Sequence, residues 1–85
     1  MEEKEIGKVE DFFAHVNVVA VKLAEGLSVG DRIHIKGHTT DLVQEITSMQ
    51  IDHQDVDKAR AGDDVGIKIS AKAHRGDKVF KVVAG

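Results

Sequence analysis

The side chains most able to do chemistry are five histidines, His15, His34, His38, His53 and His74, in a chain of 85 residues. Only His34 and His38 are close, and a spacing of four suits one helical face, whereas here it runs from a strand end into a turn. Asp52, His53, Asp55 and Asp57 form an acidic loop without the glycine and glutamate positions of a calcium-binding loop. These are read as surface polar groups, with no metal and no cofactor expected. Ser48, Asp52 and His53 supply the residue types of a hydrolytic triad. They fall on one strand, however, and a triad needs side chains converging from different elements. The sequence has no G-x-x-x-x-G-K-[ST], G-x-G-x-x-G or G-x-S-x-G motif. With no cysteine there is no thiol nucleophile, disulfide or thiolate metal site. The expectation is a non-enzyme that binds no nucleotide on its own.

The elements that must position these groups are strands. Ile46 to Ile69 organises the reading. Leu42 and Ile46 share one face of a regular strand, whereas Met49 and Ile51 fall on the other. All four reach one core only if a β-bulge interrupts a strand running from Thr40 to His53 near Thr47 and Ser48. Val65, Ile67 and Ile69 then alternate cleanly. Gly66, bare of a side chain, points to an element lying close over it.

The remaining strands are expected at Ile6–Phe13, Val18–Leu23, Asp31–Lys36, Asp64–Ser70 and Lys78–Val83. Val9 and one of Phe12 or Phe13 turn inward, and Leu27 and Val29 plug one end. Residues 1–4 are expected to be disordered. Residues 54–61 form a loop with a helical turn, since Val56 and Ala59 lie three apart. Gly-Asp recurs at Gly30-Asp31, Gly62-Asp63 and Gly76-Asp77, each time before a strand. The glycine supplies positive φ and the carboxylate accepts nearby backbone N–H groups. The expected fold is all-β: one domain over residues 1–85, a small closed antiparallel β-barrel of six or seven strands.

Apolar residues make up 41% of the chain and the formal net charge is −3. This balance argues against a nucleic-acid binder working by bulk charge. The charge is uneven. In residues 67–85, Lys68, Lys72, Arg75, Lys78 and Lys81 outnumber Asp77, a net of +4, leaving −7 for residues 1–66. A solvated basic edge guarding an edge strand accounts for this pattern. No apolar run approaches the roughly 20 residues of a membrane span, and the acidic start MEEKEIGK lacks an export core. A cytoplasmic protein with no membrane contact is expected.

Leu27-Ser28-Val29-Gly30-Asp31, continuing to Ile35 and Gly37, resembles a segment of the second domain of translation GTPases of the elongation factor Tu kind. Ser48-Met49-Gln50-Ile51-Asp52-His53, with Ala59, Gly62-Asp63 and Val65-Gly66-Ile67, resembles the archaeal and eukaryotic counterpart. The likeness spans about Ile6 to Val82 and implies a closed barrel without catalytic residues. It also implies a module contacting tRNA or the ribosome, in which His15, Arg32, His53, Lys68, Lys72 and Arg75 would touch RNA. Ala14-His15-Val16-Asn17 stands where that family has a glycine-arginine-glycine-threonine segment. The alternative is a protein-interaction module, acting with a protein partner or as a homo-oligomer. Similar barrels also occur as accessory domains of collagenase-like peptidases.

Overall fold

A computed structural model describes residues 2–83 and shows an all-β, antiparallel fold. The strands are β1 (Glu2–Phe13), β2 (Val18–Leu23), β3 (Leu27–Ser28), β4 (Arg32–Lys36), β5 (Asp41–Glu45), β6 (Met49–Ile51), β7 (Gln54–Val56), β8 (Lys58–Ala59), β9 (Asp64–Lys68) and β10 (Lys78–Val83). Eight pair in the order β5-β4-β10-β1-β2-β9-β6-β7, and β3 pairs with β8. The inner face of the curled sheet buries Ile6, Val9, Val19, Val21, Leu23, Ile33, Ile35, Met49, Val65, Ile67 and Val79. Alternation puts these residues on one side and the polar residues between them on the other.

The expected closed barrel is corrected to a curled half-barrel. Its hydrogen-bonded ladder ends at β5 and β7. The curl still brings β5 to the chain beyond β9, where one side chain spans the gap. Gln44 Nε2 donates to the Lys68 carbonyl at 3.0 Å, and the Ser70 N–H donates to Gln44 Oε1 at 2.7 Å. An amide side chain presents the same donor and acceptor as a peptide group, so Gln44 substitutes for a missing strand.

The parity break falls where the sequence places it, but in another form. A bulged strand over residues 40–53 gives way to two strands, β5 and β6, separated by Ile46, Thr47 and Ser48. Ile46 is fully buried there, bonding its N–H to the Asp31 carbonyl and its own carbonyl to the Gly30 N–H. The bulges lie in β1, between Glu5 and Gly7 against β10 and between Val9 and Asp11 against β2. They let Ile6, Val9 and Phe12, each three residues apart, face the core together. Phe13 is the exposed phenylalanine.

Four further expectations are corrected. Glu2, Glu3 and Lys4 are not disordered but pair with Val83, Val82 and Lys81; Met1 lies outside the described residues. Residues 54–61 hold β7 and β8 rather than a helical turn. Leu27 is buried, but Val29 faces solvent. Among the described residues no separate element covers Gly66: a Cβ there would meet Val18 Cγ1, a side-chain end on the neighbouring strand, at 3.2 Å.

The three Gly-Asp corners share one geometry. Gly30, Gly62 and Gly76 have φ of 97°, 93° and 92°. Asp31, Asp63 and Asp77 each donate their N–H to the carbonyl three residues back, closing the turns Ser28–Asp31, Arg60–Asp63 and His74–Asp77. Each aspartate carboxylate accepts the N–H of the same turn's first residue, at 2.9, 2.8 and 2.8 Å. Positive φ at the third turn position is the requirement that glycine meets.

Candidate functional site

A groove of about 780 Å³ lies on the outer face of β2, β9 and β6. Its floor is flat because Ala20 and Gly66, paired across β2 and β9, carry little or no side chain. Phe13, His15 and Val16 close one end from the β1–β2 turn, with Phe13 and Val16 exposed. Asp52 and His53 close the other from the β6–β7 turn. They form a two-residue hairpin between paired Ile51 and Gln54, with φ of 50° and 64°. A two-residue loop with both φ values positive matches the twist of the strands and prefers glycine at its second position. His53 occupies that position at some strain, and held strain of this kind is enriched at binding sites. Ser48, Gln50, Asp64 and Lys68 complete the polar rim.

Of the six residues expected at an RNA interface, His15, His53 and Lys68 line this groove. The other three lie elsewhere. Arg32 is on β4, paired with Glu45. Lys72 and Arg75 follow β9, and Arg75 lies 3.6 Å from Asp11. Ser48, Asp52 and His53 all line the groove but form no hydrogen bond with one another among the described residues. No described histidine, aspartate or glutamate residues gather three together in a metal-binding arrangement.

A second polar cluster, centred on His34, joins residues far apart in sequence. His34, on β4, has its side chain 12% exposed and a carboxylate at each ring nitrogen. Glu3 Oε2 lies 2.7 Å from Nδ1 and Asp41 Oδ1 lies 2.5 Å from Nε2. Two acceptors on one ring require both nitrogens to carry protons. Burial opposes the charged ring, but the hydrogen bonds to Asp41 and Glu3 outweigh it and raise the pKa. The signal in the sequence was Asp41 beyond a short turn from His34. Glu3 could not be found, because β1 lies two strands away across β10.

The clamp has a pH signature. Its folded-state pKa exceeds the unfolded value of about 6.5, so its stabilisation is full below that value and is lost as pH rises through the folded pKa. Melting temperature should therefore fall from pH 6 to pH 8 in the parent by more than in His34→Gln. Equal slopes for the two proteins would rule the clamp out as the source.

No family model matches the chain. Among curated proteins it is 43% identical over 77 residues to an uncharacterized protease of Methanocaldococcus jannaschii, covering 89% of this chain and 19% of that protein. It is 30% identical over 78 residues to a collagenase of Porphyromonas gingivalis, covering 89% of this chain and 22% of the collagenase. The chain thus spans about a fifth of the length of the curated relatives it matches. Among solved structures, two of the C-terminal domain of a Geobacillus thermoleovorans protein assigned as a U32 peptidase superpose with TM-scores of 0.86 and 0.84. Their identities are 17% and 16%; they cover 94% and 89% of this chain, which in turn covers 93% and 96% of theirs. These findings overturn the resemblance to the second domain of translation GTPases and, with it, the RNA-binding module. The Gly-Asp corners within the two segments that carried the resemblance are turn chemistry, which any strand-rich domain needs. What the chain shares is sequence with about a fifth of each of two peptide-cleaving enzymes by name, and the fold of a U32 peptidase C-terminal domain.

Proposed function

We propose that the chain is a non-catalytic accessory β-domain of the kind found in U32-type peptidases, acting on a peptidase body in its own or a partner polypeptide. The carrying observation is the pairing of 43% identity with a match to only 19% of the M. jannaschii protease. A segment of that share accompanies a catalytic body rather than constituting it. Consistent with this reading, Ser48, Asp52 and His53 line one groove without hydrogen-bonding to one another among the described residues, whereas a triad needs them in hydrogen-bond contact. A cytoplasmic setting goes with this proposal. Among the described residues no helix is long and apolar enough to cross a membrane.

Purified alone, the chain should leave gelatin and mixed peptide substrates uncut. Exchanged for the matching 78 residues of the P. gingivalis collagenase, it should preserve the parent enzyme's activity. Hydrolysis that persists through repurification of the isolated chain, or a folded chimera without activity, would overturn the proposal.

A further inference from the structure

The sheet register assembles four lysines that are far apart in sequence. Lys36 pairs with Lys78, Lys78 with Lys8, and Lys8 with Lys22, across β4, β10, β1 and β2. Directly paired residues point to the same side of an antiparallel sheet, and all four are exposed on the outer face. Adjacent strands are about 4.8 Å apart, so the row is about 15 Å long. Asp41, paired with Lys36, ends it on one side, and Asp64, paired with Lys22, on the other.

Like charges directly opposite one another destabilise a sheet, and this row places three such pairs in succession. The fold does not neutralise them. The ion pairs among the described residues engage Lys4, Lys81, Arg75, His34 and His74, and none of the four lysines of the row. Asp41, the nearest carboxylate at one end, is drawn to His34. Glu5 and Glu10 share a shallow pocket with Lys8 and Lys22 without reaching ion-pair distance. Edge protection does not account for the row either, because the edges are β5 and β7 and the lysines stand on interior strands.

We propose that this lysine row is a docking surface for an acidic polypeptide segment of a protein partner, lying across β4, β10, β1 and β2. Three carboxylates at alternate positions of an extended chain span about 13 Å, which matches the row. Asp41 and Asp64 mark its ends, so a segment with basic flanks fits in register and a uniformly negative polymer does not. The surface stands on the register alone and holds whether or not the partner is a peptidase.

The test uses a fluorescein-labelled peptide of alternating glutamate and threonine with lysines at both ends, titrated into the full chain at low salt. Saturable binding is expected, weakening as salt approaches about 200 mM. Amide shifts should concentrate on β4, β10, β1 and β2. The double variant Lys8→Gln, Lys78→Gln should bind at least about tenfold more weakly. It should nevertheless melt at or above the parent temperature, because repulsion has been removed. A peptide with glutamate replaced by lysine should not bind. The proposal is overturned by absence of saturable binding, by shifts confined to other strands, by unchanged affinity in the double variant, or by an oligouridylate of equal charge displacing the peptide more strongly than the peptide displaces itself.

Discussion

Gly7→Ala is expected to destabilise the domain by about 3 kcal/mol, lowering the melting temperature by about 15 °C. Gly7 lies where β1 recovers from its first bulge, paired with Val79 on one side and Leu23 on the other. A Cβ at this position would stand 2.5 Å from the Lys22 carbonyl oxygen and 2.9 Å from Val21 Cγ1. The first of these is backbone of a central strand and cannot rotate away. Relief requires β1 to move from β2, and both strands carry fully buried residues, Ile6 and Val21 among them. Close packing gives such a displacement no free volume to enter. Thermal unfolding followed by circular dichroism measures the effect. A variant melting within about 3 °C of the parent would show that the two strands are not held at this separation.

Gly37→Ala should lose about 2–3 kcal/mol for a different reason, and a double-mutant cycle separates the two cases. A Cβ on Gly37 would overlap the Asp77 carboxylate. Asp77 is 6% exposed and cannot swing aside, since its Oδ2 accepts the His74 N–H at 2.8 Å and its carbonyl accepts the Val9 N–H at 2.8 Å. Asp77→Ala alone should cost about 1–2 kcal/mol through the His74 amide left without its acceptor. With the carboxylate gone, adding Gly37→Ala should cost almost nothing more. The coupling between the two sites is therefore expected at about 2 kcal/mol. An equal Gly37→Ala penalty in both backgrounds would assign it to strain in the β4–β5 turn instead.

Much of this architecture was legible because it depends on local rules. The alternation of Val65, Ile67 and Ile69 marked β9, and residues 78–83 and 18–23 were strands at the expected bounds. Gly-Asp before a strand implied a turn with positive φ, and the three corners show how the aspartate completes it. The parity of Leu42, Ile46, Met49 and Ile51 located a break correctly, but parity cannot tell a bulge from a chain that leaves the ladder altogether. The same test on Ile6, Val9 and Phe12 points to the bulges of β1.

The candidate sites were harder to read. His15, His53 and Lys68 line one groove because the β1–β2 turn and the end of β9 border one end of it and the β6–β7 turn borders the other. Arg32, Lys72 and Arg75 have the same chemistry and lie elsewhere, since positive charge in a sequence carries no information about which strand adjoins which. The Leu27–Gly37 and Ser48–Ile67 segments pointed to the wrong relatives, and the Gly-Asp turns within them record a backbone requirement and not a lineage.

Amino-acid order alone settled that this chain is all-β, where its corners turn, and which face of β9 is buried, because these depend on side-chain period and allowed φ. Tertiary structure alone decided that the sheet curls without closing, that His34 lies between Glu3 and Asp41, and that Lys8, Lys22, Lys36 and Lys78 form one row. Each of these follows from strand order and register across gaps of up to about seventy residues. Register is set by the summed burial of the whole inner face, so no local stretch of sequence encodes it.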